Sequence, residues 1–177
     1  MTTSPQMTCP KCWSGSKKAA CSHCKGSGTV DDVRLSPSFM LSEFIKSNTA
    51  KAKGIANVPD AKIVENLKGL ALAMEPVKGV FGDKLTINSG YRCVALNAAV
   101  GGNAQSAHCQ GYAVDFVVAG MDATAIMRWM KAHYPAPWDQ AIDEPGWFHL
   151  GYRSPDGKRQ RKQTLVMRGG KYSEFKG

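Results

Sequence analysis

Three residues in the second half of the chain, His108, Asp115 and His149, are of types and spacing that could hold a metal ion. The segment Tyr112 to Val118 alternates as a strand does, with Asp115 on the face of Ala113 and Val117 and with Tyr112, Val114 and Phe116 on the other. A carboxylate on such a face is costly without a partner. His108 lies in the preceding loop, which Gly111 allows to turn sharply. His149 falls on another short strand and faces away from Phe148 and Leu150. If the two strands are neighbours, two imidazoles and a carboxylate converge. They leave the fourth position of a tetrahedral zinc ion for water, the open arrangement of a catalytic site. Spacing alone leaves a plainer alternative, that these are hydrogen-bonded core histidines, and no H-E-x-x-H helix is present.

A second cluster is local. Cys9, Cys12, Cys21 and Cys24 form two C-x-x-C pairs among residues poor in large apolar side chains. Such a segment cannot build a core of its own, and four thiolates on one structural Zn²⁺ would hold it together. Cys93 and Cys109 stand apart as free thiols, so the pattern fits a metal site in a reducing compartment better than a disulfide framework. His23 is a possible substitute ligand.

The elements that must position these residues are legible from periodicity. Ser42 precedes a short helix. A longer one begins near Pro59 and Asp60 with Ile63, Val64, Leu67, Leu70, Ala71 and Met74 on one face; Pro76 should kink or end it, or Val77, Val80 and Phe81 continue it for another turn, and Gly82 should stop it. Lys84 to Asn88 reads as a strand and Val94 to Val100 as a helix closed by Gly101 and Gly102. Asp122 caps a helix to about Tyr134 with Ile126, Trp129 and Met130 inward, followed by strands at Gln140 to Ile142 and Phe148 to Tyr152. The fold class is α+β, a small antiparallel sheet with flanking helices. Residues 1–30 form a four-cysteine zinc-binding module. Residues 31–177 form the main domain, with a linker at 29–41 and a basic tail at the end.

The net charge of +9 is carried by the two ends. Residues 1–30 hold four lysines (Lys11, Lys17, Lys18 and Lys25) and no acid, and residues 153–177 hold eight bases against two acids. Basic ends suit an anionic polymer surface, or simply a solvated one. Few aromatic side chains lie among those charges, which argues against nucleic acid. No apolar run is long enough to span a membrane, and the first residues lack the pattern of a secretory signal. Synthesis in a cytoplasm is therefore expected, as is a monomer.

Several separated segments resemble one family in order. Ser106-x-His108-x-x-Gly111-x-Ala113-x-Asp115 is very close to the zinc motif of the D-Ala-D-Ala metallopeptidases, peptidase family M15, whose fold also occurs in the amino-terminal domain of hedgehog proteins. Ser89-Gly-Tyr-Arg92 followed by Leu96-Asn-Ala-Ala-Val-Gly-Gly102 resembles the segment before the first zinc histidine in the branch common in bacteriophages. Leu41-Ser-Glu-Phe44 resembles the opening helix and Trp147-Phe-His149 the last ligand strand. The resemblance covers about residues 35–170. It implies that His108, Asp115 and His149 bind a catalytic zinc. It implies also that Arg92 binds and polarises the substrate carbonyl or carboxylate, and that Tyr91 and Ser106 lie along the substrate. Many relatives carry the general base three residues before the last histidine, where this chain has Gly146. Glu144 is the first candidate for that role, Asp143 the second and Asp139 the third. Cys21-Ser-His-Cys-Lys-Gly-Ser-Gly28 resembles one repeat of a DnaJ-type zinc domain, which suggests a second, structural zinc.

The implied activity is hydrolysis of stem peptides in peptidoglycan at the bacterial cell wall, by a phage-type endolysin made in the host cytoplasm. Either an L-Ala–D-Glu endopeptidase or a D,D-carboxypeptidase would fit, and lysis favours the endopeptidase. The rival reading is a non-catalytic wall-binding or structural zinc protein on the same fold.

Overall fold

The computed structural model describes residues 5–12, 21–25 and 27–177. In chain order the elements are β1 (Gln6–Thr8), β2 (Thr29–Asp31), α1 (Leu41–Ile45), α2 (Asn48–Lys53), α3 (Ala61–Phe81), β3 (Leu85–Ser89), α4 (Val94–Ala99), β4 (Ala113–Val118), α5 (Ala123–His133), β5 (Gln140–Glu144), β6 (Trp147–Gly151), β7 (Gln163–Arg168) and β8 (Lys171–Glu174). The last six strands make one sheet in the order β3-β4-β6-β5-β7-β8, antiparallel except where β7 runs parallel to β5. The α+β class read from the sequence is the class observed.

One face of the sheet is apolar. Val114, Phe116, Phe148 and Leu150 pack there in a single core with Leu67, Leu70 and Met74 of α3 and with Ile126, Met127 and Met130 of α5. Leu67 is wholly enclosed, and its truncation to alanine should cost about 2–5 kcal/mol. Because side chains alternate along a strand, burial of this set turns Asp115, Glu144 and His149 to the opposite face.

α3 starts where expected, with Asp60 as its cap, the side chain accepting from the Ile63 amide at 2.8 Å, and Gly82 ends it. Pro76 does not end it: the helix runs on to Phe81. Proline at this position frees the carbonyl of Leu72, which lies on the exposed side of the helix, where water can take it.

The stretch 29–41 is not a linker. β2 pairs with β1, and Leu41 N donates to Val33 O at 2.8 Å. Leu35, Phe39 and Leu41 are in the main core. Leu35 and the short run Phe39-Met-Leu41 are set among Ser, Pro and Asp, so no helical or strand period betrays them. The basic end is likewise more than a tail, because residues 163–174 form the β7–β8 hairpin. None of the described helices is long and apolar enough to cross a membrane.

Candidate active site

β4 and β6 are direct neighbours, and their register sets Asp115 opposite His149. His149 Nδ1 lies 2.8 Å from Asp115 Oδ1. His108 arrives from a one-turn 3-10 helix, Ala107–Gln110. Ser106 caps that turn, its Oγ accepting from His108 N at 3.3 Å, and Gly111 closes it with φ 69°, a left-handed conformation suited to glycine. His108 Nε2 then sits 3.2 Å from Asp115 Oδ1 and 3.3 Å from His149 Nδ1. Its other nitrogen, Nδ1, donates to Gly90 O at 2.6 Å, which fixes the tautomer and leaves the Nε2 lone pair for a metal.

The charge states suit a cation. Burial drives His108 below its usual pKa, so its imidazole is neutral. Burial alone would raise Asp115, but its histidine neighbours hold it well below the carboxylate range. Three donors at about 2.1 Å from a tetrahedral Zn²⁺ would stand about 3.4 Å apart. The gaps of 2.8–3.3 Å seen here are close to that. The donor set therefore fits zinc.

Arg92 turns inward. Its Nη1 donates to Asp115 Oδ2 at 3.1 Å and to Ser89 Oγ at 2.8 Å, while Nε donates to Asn97 Oδ1 at 3.1 Å. It thus orients Asp115, and Nη2 has no hydrogen-bond partner among the described residues. Arg92 and Ser106 both border a cleft of about 960 Å³ over the three candidate ligands. Tyr91 is not brought to that cleft. It is buried in the main core, where desolvation pushes its phenol up to about 12.

The three candidate carboxylates part company. β5 extends to Glu144, so alternation gives Asp143 and Glu144 opposite faces. Glu144 lines the cleft, its Oε2 buried and without a hydrogen-bond partner among the described residues, and desolvation raises its pKa. Asp143 faces away and is fully engaged, by Arg168 Nη2 at 2.9 Å and Thr124 Oγ1 at 2.5 Å. Asp139 borders the cleft but is clamped by the Arg161 guanidinium at 2.9 and 2.6 Å. Gly146, at the position where many relatives carry the base, is in the β5–β6 turn with φ 95°. Sequence reasoning missed Ser89 and Asn97 as supports of Arg92, the Gly90 carbonyl behind His108, and Tyr172. The first three lie in segments quoted for the family resemblance, but nothing in their types announced these contacts. Tyr172 gave no signal, because the strand that carries it is highly charged.

The four cysteines also converge, with their sulfur atoms all within 4.8 Å of one another and Cys12 Sγ 3.6 Å from Cys24 Sγ. Four thiolates at about 2.3 Å from one tetrahedral ion would stand about 3.8 Å apart, so this donor set also fits zinc. The backbone amide of Cys24 draws the Cys21 thiol down to about 6. His23 is exposed and is not one of the group. Lys11 and Lys25 are exposed beside it, whereas Lys17 and Lys18 lie outside the described residues.

Residues 37–155 match the family described as Peptidase M15. The chain belongs to that family. No curated protein matches the chain. The matched span of this M15 peptidase holds His108, Asp115, His149, Arg92, Ser106 and Glu144. It ends before β7 and starts after the cysteine cluster, so both lie outside what the family model covers.

Proposed function

We propose that this M15 peptidase is zinc-dependent and cleaves stem peptides of bacterial peptidoglycan, in the manner of a phage endolysin. The observation that carries the reading is the triangle of His108 Nε2, Asp115 Oδ1 and His149 Nδ1 on the wall of an open cleft that Glu144 also faces. Zinc held by these three atoms supplies Lewis acidity, which polarises a scissile carbonyl and makes water a better nucleophile. Glu144 takes the proton of the attacking water and passes it to the leaving amine, a role suited to a carboxyl whose pKa is raised by burial. Arg92 orients Asp115 through Nη1 and offers Nη2 to the carbonyl or carboxylate of the peptide. Gly146 at the usual base position is no obstacle, because the strand itself delivers Glu144.

The size of the cleft favours an endopeptidase, since about 960 Å³ takes more of a peptide chain than a terminal dipeptide fills. L-Ala–D-Glu is the bond we assign, with D-Ala–D-Ala trimming as the alternative. The cysteine cluster holds a second zinc that staples the amino-terminal residues, and the two basic ends keep the enzyme on the anionic wall.

The test is hydrolysis of purified peptidoglycan with mass analysis of the fragments, comparing the intact chain, a chelated sample and Glu144→Ala. New amine ends that vanish in both controls are the expected result, and the fragment masses name the bond. Loss on chelation but not in Glu144→Ala would move the base to another carboxylate. No release by folded, zinc-loaded protein from several wall types would sink the enzyme reading and leave a wall-binding module.

A further inference from the structure

Glu144 has an asymmetric environment that its role as base, on which the following rests, does not explain. The residue is buried, and among the described residues no arginine or lysine forms an ion pair with it. Oε2 has no partner among the described residues, and the one hydrogen bond to Oε1 comes from the Tyr172 hydroxyl at 3.5 Å. That phenol is delivered from the edge strand of the sheet, on the face that Glu144 shares. β7 pairs with β5 through Asp143 and Val166, and β8 pairs with β7 through Met167 and Tyr172, so sheet register alone fixes where the hydroxyl stands. The ring is 59% exposed and adds little to the core, so burial does not account for an aromatic residue at this position. The hairpin lies beyond the residues that match the family.

We propose that Tyr172 is a positioning residue for Glu144: its hydroxyl donates to Oε1 and stops the carboxylate from rotating out of its place beside the cleft. A glutamate has a free terminal torsion, and one fixed donor removes that freedom without engaging the second oxygen. The length of the contact fits a catalytic hydrogen bond that tightens when substrate enters. The β7–β8 hairpin is thus part of the catalytic apparatus, and Leu165 and Met167 on its inner side form the wall of the same cleft.

The experiment uses the full, zinc-loaded chain and soluble stem-peptide fragments of peptidoglycan. kcat and KM are measured for the unmodified protein, Tyr172→Phe, Glu144→Ala and the double variant. Tyr172→Phe keeps the ring and removes the donor. The expected result is a roughly tenfold fall in kcat, little change in KM, and no further loss when the substitution is added to Glu144→Ala. An unchanged kcat overturns the proposal, and so does an equal loss in the Glu144→Ala background, which would mean that Tyr172 acts on substrate independently. A second readout needs no turnover: the titration of the Glu144 side-chain carbon by NMR, whose midpoint should rise in Tyr172→Phe. An unmoved midpoint overturns the contact. A moved midpoint in a chain that cleaves no peptidoglycan upholds the contact and defeats the reading of the substrate instead.

Discussion

The two candidate metal sites are built in opposite ways. The four cysteines lie between positions 9 and 24, with little apolar material around them and a two-stranded β1–β2 ladder at their base. His108, Asp115 and His149 are spread over 41 positions, and a core of large buried side chains brings them together through strand register. Local ligands need the ion to organise the chain, whereas distant ligands need the chain to be organised before the ion arrives. The cysteine site should therefore be a folding staple, and the histidine site a preformed socket whose energy of assembly comes from packing elsewhere.

The sharpest way to break this contrast is to remove one ligand from each site. His149→Ala should lower hydrolysis by about 10³-fold or more while circular dichroism and the unfolding midpoint change little, because the sheet does not depend on the ion. Collapse of the sheet in that variant would show that the socket is not preformed. Glu144→Gln should cost about 10²–10⁴-fold in kcat with zinc content unchanged. Zinc lost along with activity would place Glu144 among the ligands and not over them.

The acid limb of the rate sharpens the socket further. Burial raises the Glu144 carboxyl, and a base works only when deprotonated. Activity should therefore fall, as pH drops, at a value above the usual glutamate figure of about 4.3. Rates that hold down to that figure would remove Glu144 from the role. Cys24→Ser is aimed at the other site. Metal analysis should show one zinc fewer, and hydrogen exchange should quicken at residues 5–12 and 27–31. Cleavage of soluble stem peptides should persist, and its loss would mean that the staple supports the socket.

The smallest effect is expected at the seam between the regions. Ser36 and Ser38 hold Glu75 of α3 through three hydrogen bonds of 2.6–2.8 Å, tying the incoming chain to the core helix. Burial opposes ionisation of Glu75, but these bonds outweigh it and lower its pKa. The folded pKa is below the unfolded one. The contribution is therefore present above the unfolded value and is lost as pH falls through the folded one. Glu75→Gln should cost about 1–2 kcal/mol near neutrality, with the deficit shrinking in acid, as denaturant melts at several pH values would show.

Much of this could be read from residue order. The faces of β4 and β6, the start of α3 near Asp60, the cap at Asp122 and the turn at Gly111 follow from local periodicity and backbone sterics. Those signals survive in sequence because they act over a few residues. The carboxylates at 143 and 144 could not be ranked by location, because the choice depends on whether β5 runs past Ile142 and on which face the core claims. The β7–β8 hairpin was hidden because its charges mask a short alternation and its partner β5 is about twenty residues away and parallel. Pro76 left open whether the helix ends there or runs on to Gly82, because the penalty for an interior proline depends on whether the freed carbonyl meets water, which is a property of exposure and not of order.

The sequence by itself thus determined the donor types, the cysteine grouping and most of the elements that carry the donors, since each is local chemistry, while the grouping of His108, Asp115 and His149 was implied by the family resemblance. Only the tertiary structure decided that Glu144 and not Asp143 faces the ligands, that Arg92 grips Asp115, and that a tyrosine beyond the matched region reaches the same cleft. Those facts depend on strand register and on which sheet face is buried. Both are settled by packing among residues far apart in the chain.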